Sequence, residues 1–185
     1  ALIYPGISGV SWETTPQIFN VGYGAIEGML NNELALKTAL VLLFCKLIAT
    51  SLTLGSGGSG GIFAPALFMG AMLGGSYKLV LEQFFPGVIG PEGAYALLGM
   101  AAMFAAAAHA PITAVLILFE LTGDYRIILP LMLTVAVATL VSRYLLSGES
   151  IYTLKLSRRG IRLRAGWDED IMNSVKVADA MTENP

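Results

Sequence analysis

A long stretch of the chain, residues 34–119, carries almost no charge. Apart from a few tyrosines, a cysteine and a histidine, its ionisable side chains are Lys37, Lys46, Lys78, Glu82 and Glu92. Only 13% of the 185 residues are charged and 55% are apolar, whereas charged residues make up about a quarter of a soluble domain. Such a stretch cannot cover itself with polar surface in water, but it suits the hydrocarbon core of a bilayer. The sequence therefore predicts an all-α, polytopic, multi-pass integral membrane protein.

Three apolar segments are long enough to cross a membrane as helices. They cover residues 34–54, 62–81 and 127–146, and a helix needs about 20 residues to cross a hydrocarbon core of ~30 Å. Lys37 lies near the end of the first segment, where its side chain can reach the interface, whereas Lys46 lies deeper and is expected to face protein or water. Upstream, residues 16–30 are predicted to form a short amphipathic helix.

Two further apolar segments are too short to cross a bilayer alone. Residues 94–108 and 112–121 are separated by His109, Ala110 and Pro111. Paired short segments with such a break are typical of discontinuous helices, whose freed backbone groups must be satisfied by protein or by a polar cavity. Transporters and channels bind their substrates in cavities of this kind, so this break is a candidate part of a transport pathway.

The charge of the chain is local. A net charge of −2 excludes a broad basic face for nucleic acid, and a single cysteine, Cys45, permits neither an internal disulfide nor a cysteine metal site. Basic residues instead gather after the last long segment, at Lys155, Arg158, Arg159, Arg162 and Arg164. By the positive-inside rule this end is expected to be cytoplasmic. The same run could bind anionic lipid headgroups, although topology alone would explain it.

The strongest local signal is the run GSGGSGGIFAP at residues 55–65. Its small residues allow the backbone to approach a ligand closely, and the apolar residues that follow would begin a helix within the membrane. The N-terminus of a helix presents unpaired N–H groups and a partial positive charge, which together favour an anion. A flexible glycine and serine linker is the plainer interpretation. A phosphate-binding loop is disfavoured because the Lys-Ser/Thr ending is missing.

Residues 60–74, GGIFAPALFMGAMLG, resemble the anion-site signature in the second half of the CLC family of chloride channels and proton-coupled chloride antiporters. The resemblance continues through AAHAPIT at residues 107–113 and LFELTGDY at residues 118–125. Residues 150–152, Ser-Ile-Tyr, are similar to the segment that supplies the family's ion-coordinating tyrosine. The matching motifs run in the family's order from about residue 1 to 166. The resemblance implies the family's inverted-repeat helical fold, with discontinuous and tilted helices.

Carried over residue by residue, the resemblance implies a chloride site. The backbone N–H groups of Ile62 and Phe63 would face the ion, and the hydroxyl of Tyr152 would donate to it. The surrounding anion-site loop would be formed by Gly60, Gly61, Ala64 and Pro65. These assignments agree with elementary chemistry, because dipoles and hydroxyls can hold a monovalent anion without the full positive charge that would trap it. From its position alone, Tyr152 could instead be an interfacial aromatic anchor.

Other polar residues have plainer interpretations. His109 is expected to cap a helix at the break, and Asp124 with Arg126 to form a turn and a local ion pair. Glu120 does not occupy a position of the family's proton-carrying glutamates, so a structural role near the dimer interface is expected. Lys46 could attract an anion, or it could equally satisfy a neighbouring helix.

The resemblance also predicts the organisation of the protein. Residues 1–166 are expected to be the C-terminal half of a CLC-type transmembrane domain, and residues 167–185 a linker and the truncated start of a cytoplasmic CBS domain. The chain is thus expected to be a fragment whose partners are the N-terminal half of the same transporter, a second copy in a homodimer, and membrane lipid. No cofactor and no metal are expected, and chloride is the ligand.

The function predicted is transmembrane chloride transport, by a channel or by H⁺/Cl⁻ exchange, and not an enzymatic activity. The gating and proton-transfer glutamates that would decide between these two belong to the family's first half. An intramembrane hydrolase is a weaker alternative, because it needs a catalytic pair and the chain has one histidine, His109, and one aspartate, Asp124, before residue 168. The glycine-flanked Ser59 fits the letters of a nucleophile motif but follows no strand. A membrane scaffold that transports nothing is the other alternative.

Overall fold

A computed structural model describes residues 21–31, 33–58, 60–85, 90 and 93–157 of the chain. It divides the chain into two compact units, residues 1–148 and residues 149–185. Within the described residues every regular element is a helix. The first unit contains α1 (Tyr23–Leu30), α2 (Leu36–Gly55), α3 (Phe63–Phe84), α4 (Ala94–Ala108), α5 (Pro111–Thr122), a 3₁₀ turn (Tyr125–Ile127) and α6 (Ile128–Leu145). The second unit contains α7 (Ile151–Ser157).

The three predicted membrane segments are confirmed as helices. Stretches at Leu36–Gly55, Phe63–Phe84 and Tyr125–Leu145 are each long and apolar enough to cross a bilayer. The two short segments are also confirmed, as helices of 15 and 12 residues. Because α5 begins at Pro111, the proline has no intrahelical hydrogen bond to lose there.

The first predicted helix is shorter than expected. Residues 21 and 22 are not helical, and α1 begins at Tyr23 after Gly22, whose φ is +86°. A left-handed glycine cannot continue a right-handed helix, so it marks the boundary. The part of the prediction that covers residues 16–20 lies outside the described residues.

Helices α3 and α4 pack closely through glycine. A side chain at Gly70 would overlap the backbone of Gly99 and Met100, and one at Gly74 would overlap the backbone of Tyr95. The contacts move back along α4 as they move forward along α3, so the two helices are antiparallel. The core around them includes the fully buried side chains of Phe68, Met72, Ala101 and Ala105. Cys45 packs against this core, as a structural cysteine does.

The turn between α5 and α6 corrects one expectation. The Asp124 carboxylate accepts a hydrogen bond from the backbone N–H of Arg126 at 2.9 Å. In the part of the chain that the structure describes, the ion pair is Lys78 with Glu82 (Nζ to Oε2 3.7 Å), and no ion pair joins Asp124 to Arg126. The carboxylate therefore caps the 3₁₀ turn, because a backbone donor two residues away needs no ordering of a long arginine side chain.

Candidate functional site

The connection between α2 and α3 folds back over the last turn of α2. Gly57 has a φ of +83°, which glycine adopts at no steric cost. The Gly58 N–H donates to the Thr53 carbonyl at 3.2 Å, and the Gly60 N–H donates to the Gly58 carbonyl at 3.0 Å. A side chain at Gly60 would meet the Thr53 methyl carbon at 3.3 Å. The small residues therefore let this connection lie close against α2.

Helix α3 begins without a side-chain cap. Its N-cap residue is Ile62, and the first intrahelical bond runs from the Ala66 N–H to the Ile62 carbonyl at 3.0 Å. Pro65 has no N–H. The N–H groups of Phe63 and Ala64 have no acceptor within the helix, because the first turn of any helix lacks one. Within the described residues no side-chain cap hydrogen bond is made at this end.

A cleft of about 340 Å³ lies beside this helix start. It brings together the four residues predicted to form the anion-site loop, Gly60, Gly61, Ala64 and Pro65. Neither Ile62 nor Phe63 lines it. The other lining residues are Val21, which lies two residues before α1, and five residues of α2: Lys46, Ala49, Thr50, Thr53 and Leu54.

The side chain of Phe63 points toward α4. Its ring meets the ring of Phe104 edge to face, with 5.0 Å between centroids and 85° between planes. The same side chain lines a second cavity of about 380 Å³, together with Leu67 and Met100. The ring therefore anchors the start of α3 on α4, while the backbone supplies the N–H group. The sequence did not reveal this pair, since the two phenylalanines are 41 positions apart and no local pattern links them.

Lys46 is buried although it carries a charge. Only 4% of its surface is exposed, and its Nζ lies 5.0 Å from the centroid of the Phe68 ring. A lysine over an aromatic face is held by the negative face of the ring. Lys46 contacts the neighbouring helix α3 through Phe68, which agrees with the expected contact to a neighbouring helix, and it also lines the cleft beside the loop; attraction of an anion stays a prediction.

The C-terminal end of α4 is hydrogen-bonded to α6 through one serine. His109 is the C-cap, with a φ of +54°, and its N–H donates to the Ala105 carbonyl at 2.9 Å. The Ser142 hydroxyl donates to the Ala106 carbonyl at 2.6 Å and lies 3.2 Å from His109 Nε2. Since the hydroxyl hydrogen is used on Ala106, the ring N–H donates to the Ser142 oxygen. His109 is a helix cap, as predicted; its partner Ser142 could not be found from sequence spacing.

Tyr152 belongs to the second unit and is the second residue of α7. It is 53% exposed. The helix start is fixed by a reciprocal cap, in which the Ser150 N–H donates to Thr153 Oγ1 at 2.9 Å and the Thr153 N–H donates to Ser150 Oγ at 3.3 Å. This cap holds the first turn of α7, which carries the tyrosine hydroxyl.

Among the described residues, no group of three or more His, Cys, Asp and Glu side chains is placed to hold a metal ion. Ser59, the serine of the weak nucleophile motif, lies outside the described residues.

Comparison with known proteins identifies the family. The family model described as "Voltage gated chloride channel" matches residues 1–143. The H(+)/Cl(−) exchange transporter ClcA of Vibrio cholerae is 38% identical over 157 residues, which are 85% of this chain and 31% of the relative. ClcA of Vibrio campbellii is 36% identical over 156 residues, 84% of this chain and 33% of the relative.

A solved structure agrees with these relatives. The crystal structure of a slow cyanobacterial Cl⁻/H⁺ antiporter matches 73% of this chain and 32% of its own, with 34% identity and a TM-score of 0.66. The chain spans about a third of the length of the relatives it matches. The three apolar spans and these matches place the chain in a multi-pass integral membrane protein. The chain belongs to the voltage-gated chloride channel (CLC) family.

Proposed function

We propose that this chain supplies one half of an anion pathway in a protein that moves chloride across a membrane. The observation that carries the proposal is the start of α3, where a candidate membrane span begins at Ile62 and Phe63 without a side-chain cap, directly after the glycine-rich loop. Unpaired N–H groups at a helix N-terminus attract anions, and their partial charge counts for more in a low-dielectric medium.

The ligand set proposed for chloride is neutral. The N–H groups of Ile62 and Phe63 and the hydroxyl of Tyr152 bind the ion, and the N-terminal half of the transporter completes the coordination. Donors of this kind replace part of the hydration shell, yet they release the ion again because none carries a full charge. Weak binding at several sites is what permits turnover. We expect no cofactor and no metal.

The proposed assembly is a homodimer. Apolar side chains of α5 and α6 are exposed in the isolated chain, among them Leu116, Leu129 and Leu133. A second copy, the missing half and lipid are the partners that would cover such a surface in a membrane. We also propose a membrane domain over residues 1–166, the start of a CBS domain over residues 167–185 and a cytoplasmic C-terminal end; the boundary at residue 166 lies outside the described residues.

We infer that the protein is not a hydrolase, although Ser142 lies within hydrogen-bond distance of His109. A nucleophilic serine must give its proton to the histidine. Here the hydroxyl donates to the Ala106 carbonyl at 2.6 Å instead, and Ser142 is buried. This hydrogen-bond direction supports a structural role for the pair. The relatives are transporters by name, which agrees.

The test is chloride and proton flux from liposomes that contain the full-length protein. Proton movement driven by a chloride gradient would establish an exchanger, as the named relatives are. Chloride leak without protons would establish a channel. Absence of chloride movement in either arrangement would overturn the transport proposal and leave a scaffold.

A tyrosine pair tests the proposed ligand set in the same assay. Tyr152→Phe removes one neutral hydroxyl, so we expect chloride affinity to fall roughly fivefold. Tyr144, the last but one residue of α6, is 87% exposed and makes a matched control, so Tyr144→Phe should leave affinity unchanged. Equal chloride affinities in Tyr152→Phe and Tyr144→Phe would show that the Tyr152 hydroxyl does not bind the ion.

A further inference from the structure

We propose that Glu120 and Arg126 fix the register of the homodimer, each by an ion pair with the other residue of a second copy. The inference rests on the assembly proposed above, and it adds the two charged residues that determine how the copies meet. It commits the exposed face of α5 to one occupant, a second copy of this protein.

The first argument is the surface on which Glu120 lies. Ile112, Leu116 and Glu120 follow one another at intervals of four residues, so they share one face of α5. Ile112 is 75% exposed, Leu116 is 59% exposed, and Glu120 is exposed as well. The carboxylate therefore stands at the end of an apolar stripe that is uncovered in the part of the chain that the structure describes.

The second argument is that both charges lack a partner within the chain. Among the described residues the ion pair is Lys78 with Glu82. In the same part of the chain, neither the Glu120 carboxylate nor the Arg126 guanidinium makes a hydrogen bond or an ion pair. The nearby carboxylate of Asp124 accepts from the backbone N–H of Arg126 and not from its side chain. An acid and a base that both remain unpaired are the complementary charges that a subunit interface can bring together.

The third argument is that the two charges lie at the same end of the α5–α6 pair. Glu120 lies two residues before the end of α5 at Thr122, and Arg126 lies in the 3₁₀ turn that precedes α6. The rings of Phe119 and Tyr125 meet with 5.1 Å between centroids, which holds the end of α5 against this turn. Two copies that cross the membrane in the same orientation can pair only groups of equal depth. Glu120 and Arg126 meet that condition.

In a two-fold dimer such a contact is reciprocal. If Glu120 of one copy meets Arg126 of the second, then Arg126 of the first meets Glu120 of the second. One pair of residues therefore gives two ion pairs, and both are lost when one copy shifts against the other. The apolar side chains of α5 supply packing, whereas the charges select one register.

The competing interpretation is that lipid covers this face. Headgroups and water would then satisfy the two charges, because charged side chains near the end of a membrane helix can reach the interface. The two interpretations differ in whether the charges contribute to dimer formation.

The experiment measures dissociation of the full-length dimer by dilution in lipid vesicles, with the subunits counted by single-molecule photobleaching. Glu120→Arg and Arg126→Glu each replace two attractions by two repulsions. The double variant Glu120→Arg/Arg126→Glu exchanges the charges and keeps both pairs. Glu27→Gln and Arg143→Gln are the matched controls, because each removes one exposed charge, from α1 and from the last turn of α6.

We expect each single variant to raise the dissociation constant of the dimer about tenfold or more, and the double variant to return to within about threefold of the wild type. The controls should dissociate as the wild type does. High salt should weaken the wild-type dimer and strengthen the dimers of the single variants, because salt screens attraction and repulsion alike.

Two results would show that the inference is wrong. The first is that the single variants dissociate as the wild type does, and the second is that the double variant does not recover. If a charge-reversed variant does not fold, Glu120→Gln and Arg126→Gln remove the pairs without repulsion and should each raise the dissociation constant about threefold. An unchanged constant in those two variants would equally contradict the ion pairs.

Chloride flux from the same vesicles separates this inference from the proposed function. If the dimer depends on both charges but the wild type carries no chloride, the inference stands and the transport proposal fails. If the wild type carries chloride as a monomer, transport stands, whereas the homodimer and its ion pairs are overturned and lipid covers the face.

Discussion

Because α3 and α4 are antiparallel, the start of α3 and the end of α4 lie at the same end of the pair. The two helix ends differ in their hydrogen bonding. The rings of Phe63 and Phe104 meet near the start of α3 and the end of α4, and Gly74 meets Tyr95 toward the opposite ends. The start of α3 has no side-chain cap among the described residues. At the end of α4, the C-cap His109 and a hydroxyl from α6 donate hydrogen bonds to the carbonyls of Ala105 and Ala106.

The difference follows from the charge that each end exposes. The start of α3 presents N–H groups and a partial positive charge, whereas the end of α4 presents carbonyl oxygens and a partial negative charge. Open carbonyl groups beside an anion site would repel the ion. The carbonyls of Ala105 and Ala106 are instead occupied by hydrogen bonds from His109 and Ser142. The end that would oppose an anion has one of its leftover carbonyls, that of Ala106, paired within the protein, whereas the end that would hold one has no side-chain cap among the described residues.

The two helix ends lie side by side only because α3 and α4 are in close contact. The substitution Gly99→Val should disrupt that contact. A side chain at Gly99 would overlap the carbonyl oxygen of Gly70 and the backbone of Gly74. Because backbone cannot move aside as a flexible side chain can, we expect destabilisation of about 3 kcal/mol and a clear fall in unfolding temperature. The measurement is thermal unfolding in detergent.

The matched control is Gly55→Val. A side chain at Gly55 meets nothing within 4 Å, and this residue ends α2. Its substitution should therefore shift the unfolding temperature much less. Similar losses in the two variants would show that the tight glycine contact is not what holds the helices together.

The proposed chloride binding at the start of α3 is tested most directly by Ile62→Pro. Proline removes the N–H group, and because the φ of −96° at this residue lies outside the proline range of about −65 ± 15°, the backbone at the helix start must also adjust. Loss of one donor to a charged ligand should weaken chloride binding about tenfold or more. Ile62→Val keeps the N–H group and should bind as the wild type does; chloride affinity by calorimetry decides between them.

A substitution at the end of α4 should lower the stability of the protein and leave its chloride affinity unchanged. Ser142→Ala leaves the Ala106 carbonyl and the His109 ring without their partner, which we expect to cost about 1–2 kcal/mol. Chloride affinity of the folded protein should not change. Thr134→Ala is the control, since the Thr134 hydroxyl bonds only to the Pro130 carbonyl of its own helix. A fall in chloride affinity for Ser142→Ala would mean that the two ends are not independent.

Much of this fold can be read from the sequence, because hydrophobic length is a local property. The long spans, the short pair and the proline at the start of α5 follow from runs of residue types and from the chemistry of one ring. The glycine-rich loop before α3 is local too, and the four loop residues that the family resemblance names line one cleft; their role in binding an anion stays a prediction.

What the sequence does not reveal depends on contacts between distant residues. Phe63 with Phe104, His109 with Ser142, and the burial of Lys46 against Phe68 all join separate helices. No spacing rule predicts such pairs from one sequence. The ion pair expected between Asp124 and Arg126 was wrong for a related reason, since a nearer backbone donor took the carboxylate.

The smallest effect is expected at His109, where two contributions oppose each other. His109→Gly removes the hydrogen bond to Ser142, worth about 1 kcal/mol. It also relieves the left-handed backbone at φ +54°, which costs a non-glycine residue roughly 1 kcal/mol. The unfolding temperature should therefore stay close to that of the wild type. His109→Ala loses the same hydrogen bond and keeps the unfavourable φ, so it should unfold at a lower temperature than His109→Gly. Equal unfolding temperatures for the two variants would show that the backbone at this cap is not strained, and that Ser142 alone seals the end of α4.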